Sequence, residues 1–257
     1  MDLTEFKNFT TELAVESGKH ITKIWNEDDL GLEFKDDNTP VTRADREAEE
    51  IMRDMIRKRF PSHCIIAEEY GSENEDAEFA WILDPIDGTK SFMAHIPLFG
   101  TLIGLLHRGE PILGAIHQPI LGQLAMGDNE TTTLNGKPVK ARVQNIERSI
   151  LLATDPRLLE MTDDRPGLKE LCKSVYLRRT WGDCYGYMMV ASGRADIMID
   201  PKLAPWDVLP VVPVVRGAGA MLTDWDGNQV NLSNVSTTIA AHPSLHGEVL
   251  RCMRKEA

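Results

Sequence analysis

One stretch constrains this chain more than any other: Trp81-Ile82-Leu83-Asp84-Pro85-Ile86-Asp87-Gly88-Thr89, an apolar run delivered straight into acid. Short apolar runs read as buried strands, and the end of one is an unusual place for charge. Pro85 has no amide hydrogen and a fixed φ, so it is expected to stop the strand ladder and turn Asp84 and Asp87 toward one point outside the strand end. Gly88 and Thr89 add small, permissive backbone. A helical turn starting there would present N–H groups to an anion such as phosphate.

The same texture recurs elsewhere. Cys64-Ile65-Ile66-Ala67 runs into Glu68 and Glu69, and Asp207 follows Trp206 at the head of an apolar, helix-like segment reaching Val215. Hard carboxylate oxygens suit Mg²⁺, which keeps several waters and bridges protein carboxylates to a substrate phosphate. Two or more clustered ions support attack of water on phosphorus, one ion activating the nucleophile and another stabilising the leaving oxygen. Taken singly, each acid has a structural explanation: an Asx-type turn for Asp84 and Asp87, a solvated strand end for Glu68 and Glu69, a helix-dipole partner for Asp207. None of these explains why several strand and helix ends are acidic together. A glycosidase reading leaves Gly88, Thr89 and the extra carboxylates unused. His95, His107 and His117 are scattered and lack zinc-site spacing, and Asp224-Trp225-Asp226-Gly227 is a turn rather than a Ca²⁺ loop, because Val235 falls where the bidentate Glu belongs.

The scaffold reads as mixed helix and strand. Leu3 to Trp25 has apolar residues at helical spacing, with Asp2 and Glu5 as a starting cap. Asn26 to Pro40, which contains Lys35, is a loop or irregular hairpin. Thr42 with Asp45 three residues on is a capping pattern for a helix that Pro61 ends. Strands are expected at Cys64–Ala67 and Phe79–Leu83, and an antiparallel pair over Gly100–His107 and Pro111–Gln118, with Asn135-Gly136 a further hairpin signal. Beyond Arg148 the order becomes strand, helix, strand: Ile150–Ala153, a helix between Gly182 and Gly193, Arg194–Asp200. A soft boundary near residue 145 separates an N-terminal α+β half, 1–145, from a C-terminal α/β half, 146–257. The net charge of −12 disfavours nucleic acid and anionic membranes, and no apolar run is long enough to span a bilayer. The first residues lack a secretory signal, so a cytoplasmic location with four reduced cysteines is expected.

Asp84-Pro85-Ile86-Asp87-Gly88-Thr89, preceded by Glu68-Glu69 and followed by Trp206-Asp207 before Ala218-Gly219, resembles the inositol monophosphatase superfamily in motifs and order over nearly the whole chain. The resemblance implies an α+β fold of the layered αβαβα sandwich type, two or three Mg²⁺ ions per active site, inhibition by Li⁺, and a homodimer acting on a small phosphorylated metabolite. It assigns Glu68, Asp84 and the carbonyl of Ile86 to one metal, and Asp84, Asp87 and Asp207 to another. Thr89 and Asp45 would orient the attacking water with help from Glu68, and the amides of Gly88 and Thr89 would hold phosphate. Lys35 matches a position near the active site. Ala220 stands where the second signature ends in glycine, a change expected to adjust packing and leave the metals in place.

For substrate, the informative stretch is Arg179-Thr180-Trp181-Gly182-Asp183-Cys184-Tyr185-Gly186-Tyr187, then Asp200-Pro201-Lys202-Leu203. It resembles the histidinol-phosphate phosphatase branch, which implies a step of histidine biosynthesis with Arg179, Asp183 and Asp200 as substrate-binding candidates. Acidic Asp183 and Asp200 suit a substrate carrying an ammonium group and an imidazole. Their structural alternatives are a helix cap and a turn pair. The rival readings are an inositol monophosphatase or broad-specificity sugar or nucleotide phosphatase, and a metal-binding regulatory protein that kept the fold without turnover.

Overall fold

The computed structural model describes residues 1–155 and 166–254. Its first elements are α1 (Thr4–Trp25), a short hairpin of β1 (Glu33–Phe34) and β2 (Pro40–Val41), and α2 (Arg43–Arg59). The strands β3 (Cys64–Ala67), β4 (Gly71–Glu73) and β5 (Phe79–Asp87) follow, then one turn of helix, α3 (Thr89–Met93). A meander completes this half: β6 (Gly100–His107), β7 (Glu110–Gln118), β8 (Gln123–Gly127), β9 (Thr132–Leu134) and β10 (Lys137–Pro138). Among the described residues these form an eight-stranded sheet in the order β10-β9-β8-β7-β6-β5-β3-β4, antiparallel except where β3 meets β5. The parallel neighbours β3 and β5 carry their acids, Glu68 and Asp84, at the same edge.

The second half contains β11 (Ile150–Ala153), α4 (Pro166–Ser174), β12 (Leu177–Arg179), α5 (Asp183–Ala191) and β13 (Ile197–Asp200). After these come α6 (Pro205–Val208), α7 (Val211–Gly217), β14 (Met221–Thr223), β15 (Thr238–Ala241) and α8 (Pro243–Met253). Its sheet runs β12-β11-β13-β15-β14, with β11 parallel to both β12 and β13.

Packing orders these pieces into αβαβα layers. α1 and α2 cover one face of the first sheet, joined by Phe9, Leu13, Met52, Ile56, Trp81 and Leu83. α2 buries Ala44, Ala48, Met52 and Ile56, four residues apart each time, which is the stripe a helix lays on a sheet. α5 and α7 form the middle layer, where Tyr187, Met188, Val211 and Val215 meet residues of both sheets. α4 and α8 cover the outer face of the second sheet through Leu168, Leu171, Leu245 and Val249. No helix among the described residues is long and apolar enough to cross a membrane.

Three local expectations are corrected. Pro85 does not end the strand: β5 continues to Asp87, and the pairing slips between Asp84 and Asp87 so that a bulge accommodates the residue without an N–H. The apolar segment from Trp206 is two helices, because Pro210 and Pro213 lack the amide hydrogens a continuous helix needs and are tolerated only where a new one begins. At the start of α1, Asp2 accepts from the amide and hydroxyl of Thr4, and no capping pair with Glu5 forms.

α7 lies close on the first sheet because glycines pave its bed. Gly104, Gly114 and Gly127 are register partners across β6, β7 and β8. A methyl group on Gly114 would lie 1.8 Å from the carbonyl oxygen of Pro210, and one on Gly127 2.4 Å from that of Pro213. The α6–α7 segment, which carries Asp207, is thereby set at a fixed height over the strands.

Candidate active site

The bulge at the end of β5 aims the two acids. Asp84 is 1% exposed and accepts the Ile86 amide at 2.9 Å, while the Thr101 hydroxyl holds the carbonyl of Pro85 at 2.9 Å. Asp87 accepts the amide of Cys184, the second residue of α5. Asp207 stands in the first turn of α6, where its Oδ2 accepts the Ala204 amide at 2.8 Å. One carboxylate oxygen from each of Asp84, Asp87 and Asp207 falls within 4.8 Å of the others.

Elementary electrostatics makes such a cluster costly. Burial, then the charges of Glu68, Asp87, Asp207 and Asp45, push the Asp84 carboxyl well above the usual carboxylate range. Asp87 is raised by burial and by Asp183 and Asp207, although the Cys184 amide opposes this. Asp207 is pushed up to about 7 by burial and by Glu68 and Asp183, against the Ala204 amide. No lysine or arginine among the described residues forms an ion pair with any of the three. Convergent hard oxygens with unbalanced negative charge fit a divalent cation such as Mg²⁺.

Asp45 divides its two oxygens between two tasks. Oδ2 accepts the Thr42 amide at 2.8 Å and the Thr42 hydroxyl at 2.5 Å, which caps α2. Oδ1 faces the Thr89 hydroxyl at 3.5 Å, and that hydroxyl also lies 3.2 Å from the Ile86 carbonyl. Burial, with smaller contributions from Glu69 and Glu68, pushes Asp45 up to about 7 against the Thr42 hydrogen bonds. Thr89 opens α3 directly after Gly88, whose φ of +95° is open to glycine and strained for other residues. A methyl on Gly88 would also crowd the Asp183 Oδ2 at 3.1 Å.

Glu68 and Glu69 share the ammonium of Lys35, at 2.9 and 2.7 Å. Burial alone would lower Lys35, but its hydrogen bonds to Glu69 and Glu68 outweigh this and raise it. The turn that bears both glutamates is held from behind by a buried pair on α2. Glu49 accepts the amides of Glu69 and Tyr70 at 2.8 and 3.0 Å, and Arg53 donates to Glu49 at 2.8 Å and to the Gly71 carbonyl. Sequence reasoning missed this pair: Glu and Arg four apart on a helix ordinarily mark a solvated face, and only the supporting contact with the turn reveals the function.

A cavity of about 120 Å³ adjoins the acid cluster, lined by Asp87, Asp207, Asp183, Asp200, Tyr187, Thr154 and the segment Pro201-Lys202-Leu203. Asp200 ends β13 and is 1% exposed. It accepts the Tyr187 hydroxyl at 2.9 Å and the Thr154 amide at 3.3 Å, and burial first, then Asp183, pushes it up to about 7. Asp183 is pushed up to about 6 by burial, with Lys90 acting in the opposite direction. It does not cap α5 through its side chain; its amide donates to the Thr154 hydroxyl at 3.0 Å, and its φ is +49°. Arg179 lies apart from these residues. It is exposed, with its guanidinium carbon 5.9 Å from the centre of the Trp181 ring, and it does not line the cavity. Tyr187 and Thr154 were not legible as site residues, since one reads as core and the other as an isolated polar residue after a strand.

The inositol monophosphatase family model matches residues 2–256. The chain is 40% identical over 243 residues to the chloroplastic bifunctional phosphatase IMPL2 of Arabidopsis thaliana, an alignment covering 93% of this chain and 70% of that one. It is 38% identical to the histidinol-phosphatase of Chlorobaculum parvum, covering 85% of each chain. Its structure matches that of an inositol monophosphatase from Zymomonas mobilis with a TM-score of 0.84 and 30% identity, covering 99% of this chain and 100% of that one. With the layered fold and the acid cluster already in place, the match over the full length means that the chain belongs to the inositol monophosphatase family.

Proposed function

We propose that this phosphoric monoester hydrolase cleaves histidinol phosphate to histidinol and inorganic phosphate with Mg²⁺ at the Asp84, Asp87 and Asp207 cluster. The observation that carries the substrate is the cavity beside that cluster, where the buried Asp200 and the half-buried Asp183 form no ion pair with a lysine or arginine among the described residues, the exposed Lys202 of the lining included. An organic cation fills such a place better than a neutral polyol, which asks only for hydrogen-bonding groups. Identity of 38% to a relative named histidinol-phosphatase supports the same reading.

In this scheme Asp84, Asp87 and Asp207 hold the metal, with Glu68 and the Ile86 carbonyl as further oxygen ligands. When bound, Mg²⁺ supplies charge for the phosphate oxygens and lowers the pKa of an attacking water. The chain's own groups do the rest. The Thr89 hydroxyl, 3.5 Å from Asp45 Oδ1, orients the water and relays its proton, giving its own to the Asp45 carboxylate. The Gly88 and Thr89 amides, at the head of α3, receive the phosphate oxygens. Asp183 and Asp200 bind the cationic end of the alcohol, fixing the ester oxygen against the metal ligands.

Phosphate release from histidinol phosphate, inositol 1-phosphate and 3′-phosphoadenosine 5′-phosphate, with Mg²⁺ and with EDTA, tests both parts. A kcat/KM at least tenfold higher for histidinol phosphate, lost in EDTA, is expected. Preference for a neutral or nucleotide ester would retain the metal chemistry and discard the substrate, and no metal-dependent release from any of them would overturn the enzymatic reading.

A further inference from the structure

Asp183 and Asp200, the two acids of the cavity outside the metal cluster, belong to different elements, and one residue touches both. Thr154 follows the last residue of β11, which lies between β12 and β13 and runs parallel to both, so all three strands end at the same sheet edge. Register pairs Ala153 with Ile199, which brings Thr154 level with Asp200. Its amide donates to Asp200 Oδ1 at 3.3 Å. Its hydroxyl accepts the Asp183 amide at 3.0 Å, and the residue itself lines the cavity.

The contact with the α5 side is steric as well as polar. A methyl group on Gly182 would lie 2.3 Å from the Thr154 Cα and 2.7 Å from its Oγ1, so the chain entering α5 rests directly on Thr154. At the next residue Asp183 takes a φ of +49°, a conformation that costs a residue with a Cβ free energy and persists only where neighbours hold it. The Thr154 hydroxyl is the group that receives the amide of that strained residue. Asp200 is anchored independently on its other oxygen by the Tyr187 hydroxyl, which in turn bonds Thr238.

We propose that Thr154 is the positioning residue that sets the separation of the Asp183 and Asp200 carboxylates, and through it the preference for cationic over neutral phosphate esters. The proposal rests on the assignment of the cavity to a cationic substrate. Thr154 acts on binding, because its hydroxyl makes no hydrogen bond with Asp45, Thr89 or the metal carboxylates, and Asp87, the carboxylate nearest this turn, keeps its own donor in the Cys184 amide. Removing the hydroxyl strands the Asp183 amide and lets that residue relax, while the neutral ester loses nothing it used.

Steady-state kinetics of Thr154→Val and Thr154→Ser, with histidinol phosphate and inositol 1-phosphate over a range of Mg²⁺, test this. Thr154→Val should raise KM for histidinol phosphate about tenfold, with kcat and the half-saturating Mg²⁺ within about twofold of wild type and KM for the neutral ester unchanged. Thr154→Ser, which keeps the acceptor, should restore the wild-type ratio. If Thr154→Val does not fold, Thr154→Ala removes the same hydroxyl without added bulk and should give the same ratio. Equal losses on both esters, a change confined to kcat or to the Mg²⁺ requirement, or an unaltered preference in the variants would overturn the role of Thr154 while the substrate assignment stands. A wild-type enzyme with no preference for histidinol phosphate would overturn the substrate assignment and the role of Thr154 with it.

Discussion

At the scale of single residues, the distinction that matters is between the carboxylates proposed to hold a metal and those proposed to hold the substrate. Asp84 is nearly inaccessible and surrounded by like charge, so its charge is a burden to the protein until a cation arrives. Asp84→Asn keeps an oxygen for the Ile86 amide and removes that charge. It should abolish turnover by at least about a thousandfold while melting in EDTA at or above the wild-type temperature; a variant that unfolds would mean the carboxylate is structural. Asp183→Asn makes the contrasting case. It should weaken histidinol phosphate by about tenfold or more in kcat/KM and leave inositol 1-phosphate nearly unchanged, and equal losses would remove Asp183 from the substrate. Asp84 stood out in the sequence because acid at the end of an apolar run is conspicuous, whereas Asp183, after Arg179-Thr180-Trp181-Gly182, stood out only through the resemblance of its segment to the histidinol-phosphate phosphatase branch. Thr154, Glu49 and Arg53 did not, since each acts through a backbone amide or carbonyl distant in sequence, and nothing in the local pattern announces such a partner.

At the scale of elements, the helices α1 and α2 followed from periodicity and the strands bearing the acids from short apolar runs, because each buries one face or both against a neighbour. What periodicity did not contain was the way β5 passes through Pro85, which depends on Thr101 as a partner for the bulge, or the height at which the helices broken at Pro210 sit, which depends on the glycine bed of the first sheet. That bed makes a prediction. Gly114→Ala drives a methyl into the Pro210 carbonyl, and overpacking against backbone should cost about 3 kcal/mol or more in urea denaturation. Because Asp207 is carried three residues before Pro210, the same variant should also bind Mg²⁺ more weakly. Gly109→Ala, in an open turn with a φ of +82°, carries only the conformational cost of roughly 1–2 kcal/mol and serves as the control. A second contact joins α1 to the β8–β9 turn: Asp128 accepts the amides of Glu130 and Thr131 and the Lys7 ammonium at 2.6 Å. Burial opposes ionisation there, but the Lys7 ammonium and the two amides outweigh it and hold Asp128 down at about 2. A folded pKa below the unfolded one adds stability above about pH 4 that disappears as pH falls through about 2. Asp128→Asn should therefore lower stability by about 1–2 kcal/mol at pH 7, with the gap to wild type narrowing between pH 4 and pH 2.

For the whole molecule, the site sits where the two sheets are joined through the middle layer. Asp84 and Asp87 come from the first sheet, Asp207 from the segment that crosses over it, and the amide of Cys184 ties Asp87 to α5 beneath the second sheet. Repulsion among the acids works against that junction, and a bound divalent ion converts the same groups into a cross-link between the halves. Mg²⁺ at about a hundred times its dissociation constant should then stabilise the fold by about 2.7 kcal/mol, because the unfolded chain cannot assemble the ligand set. For a chain of this length that corresponds to a rise of roughly 5–10 °C in melting temperature. The rise should vanish in EDTA and shrink in Asp207→Asn, which breaks the link from the second half while sparing the acids of the first sheet. Thermal unfolding followed by calorimetry over a Mg²⁺ titration reads all three. A wild-type melting temperature that ignores Mg²⁺ would mean that the acid cluster is balanced by some other group, and the metal-dependent scheme would fall at its first step.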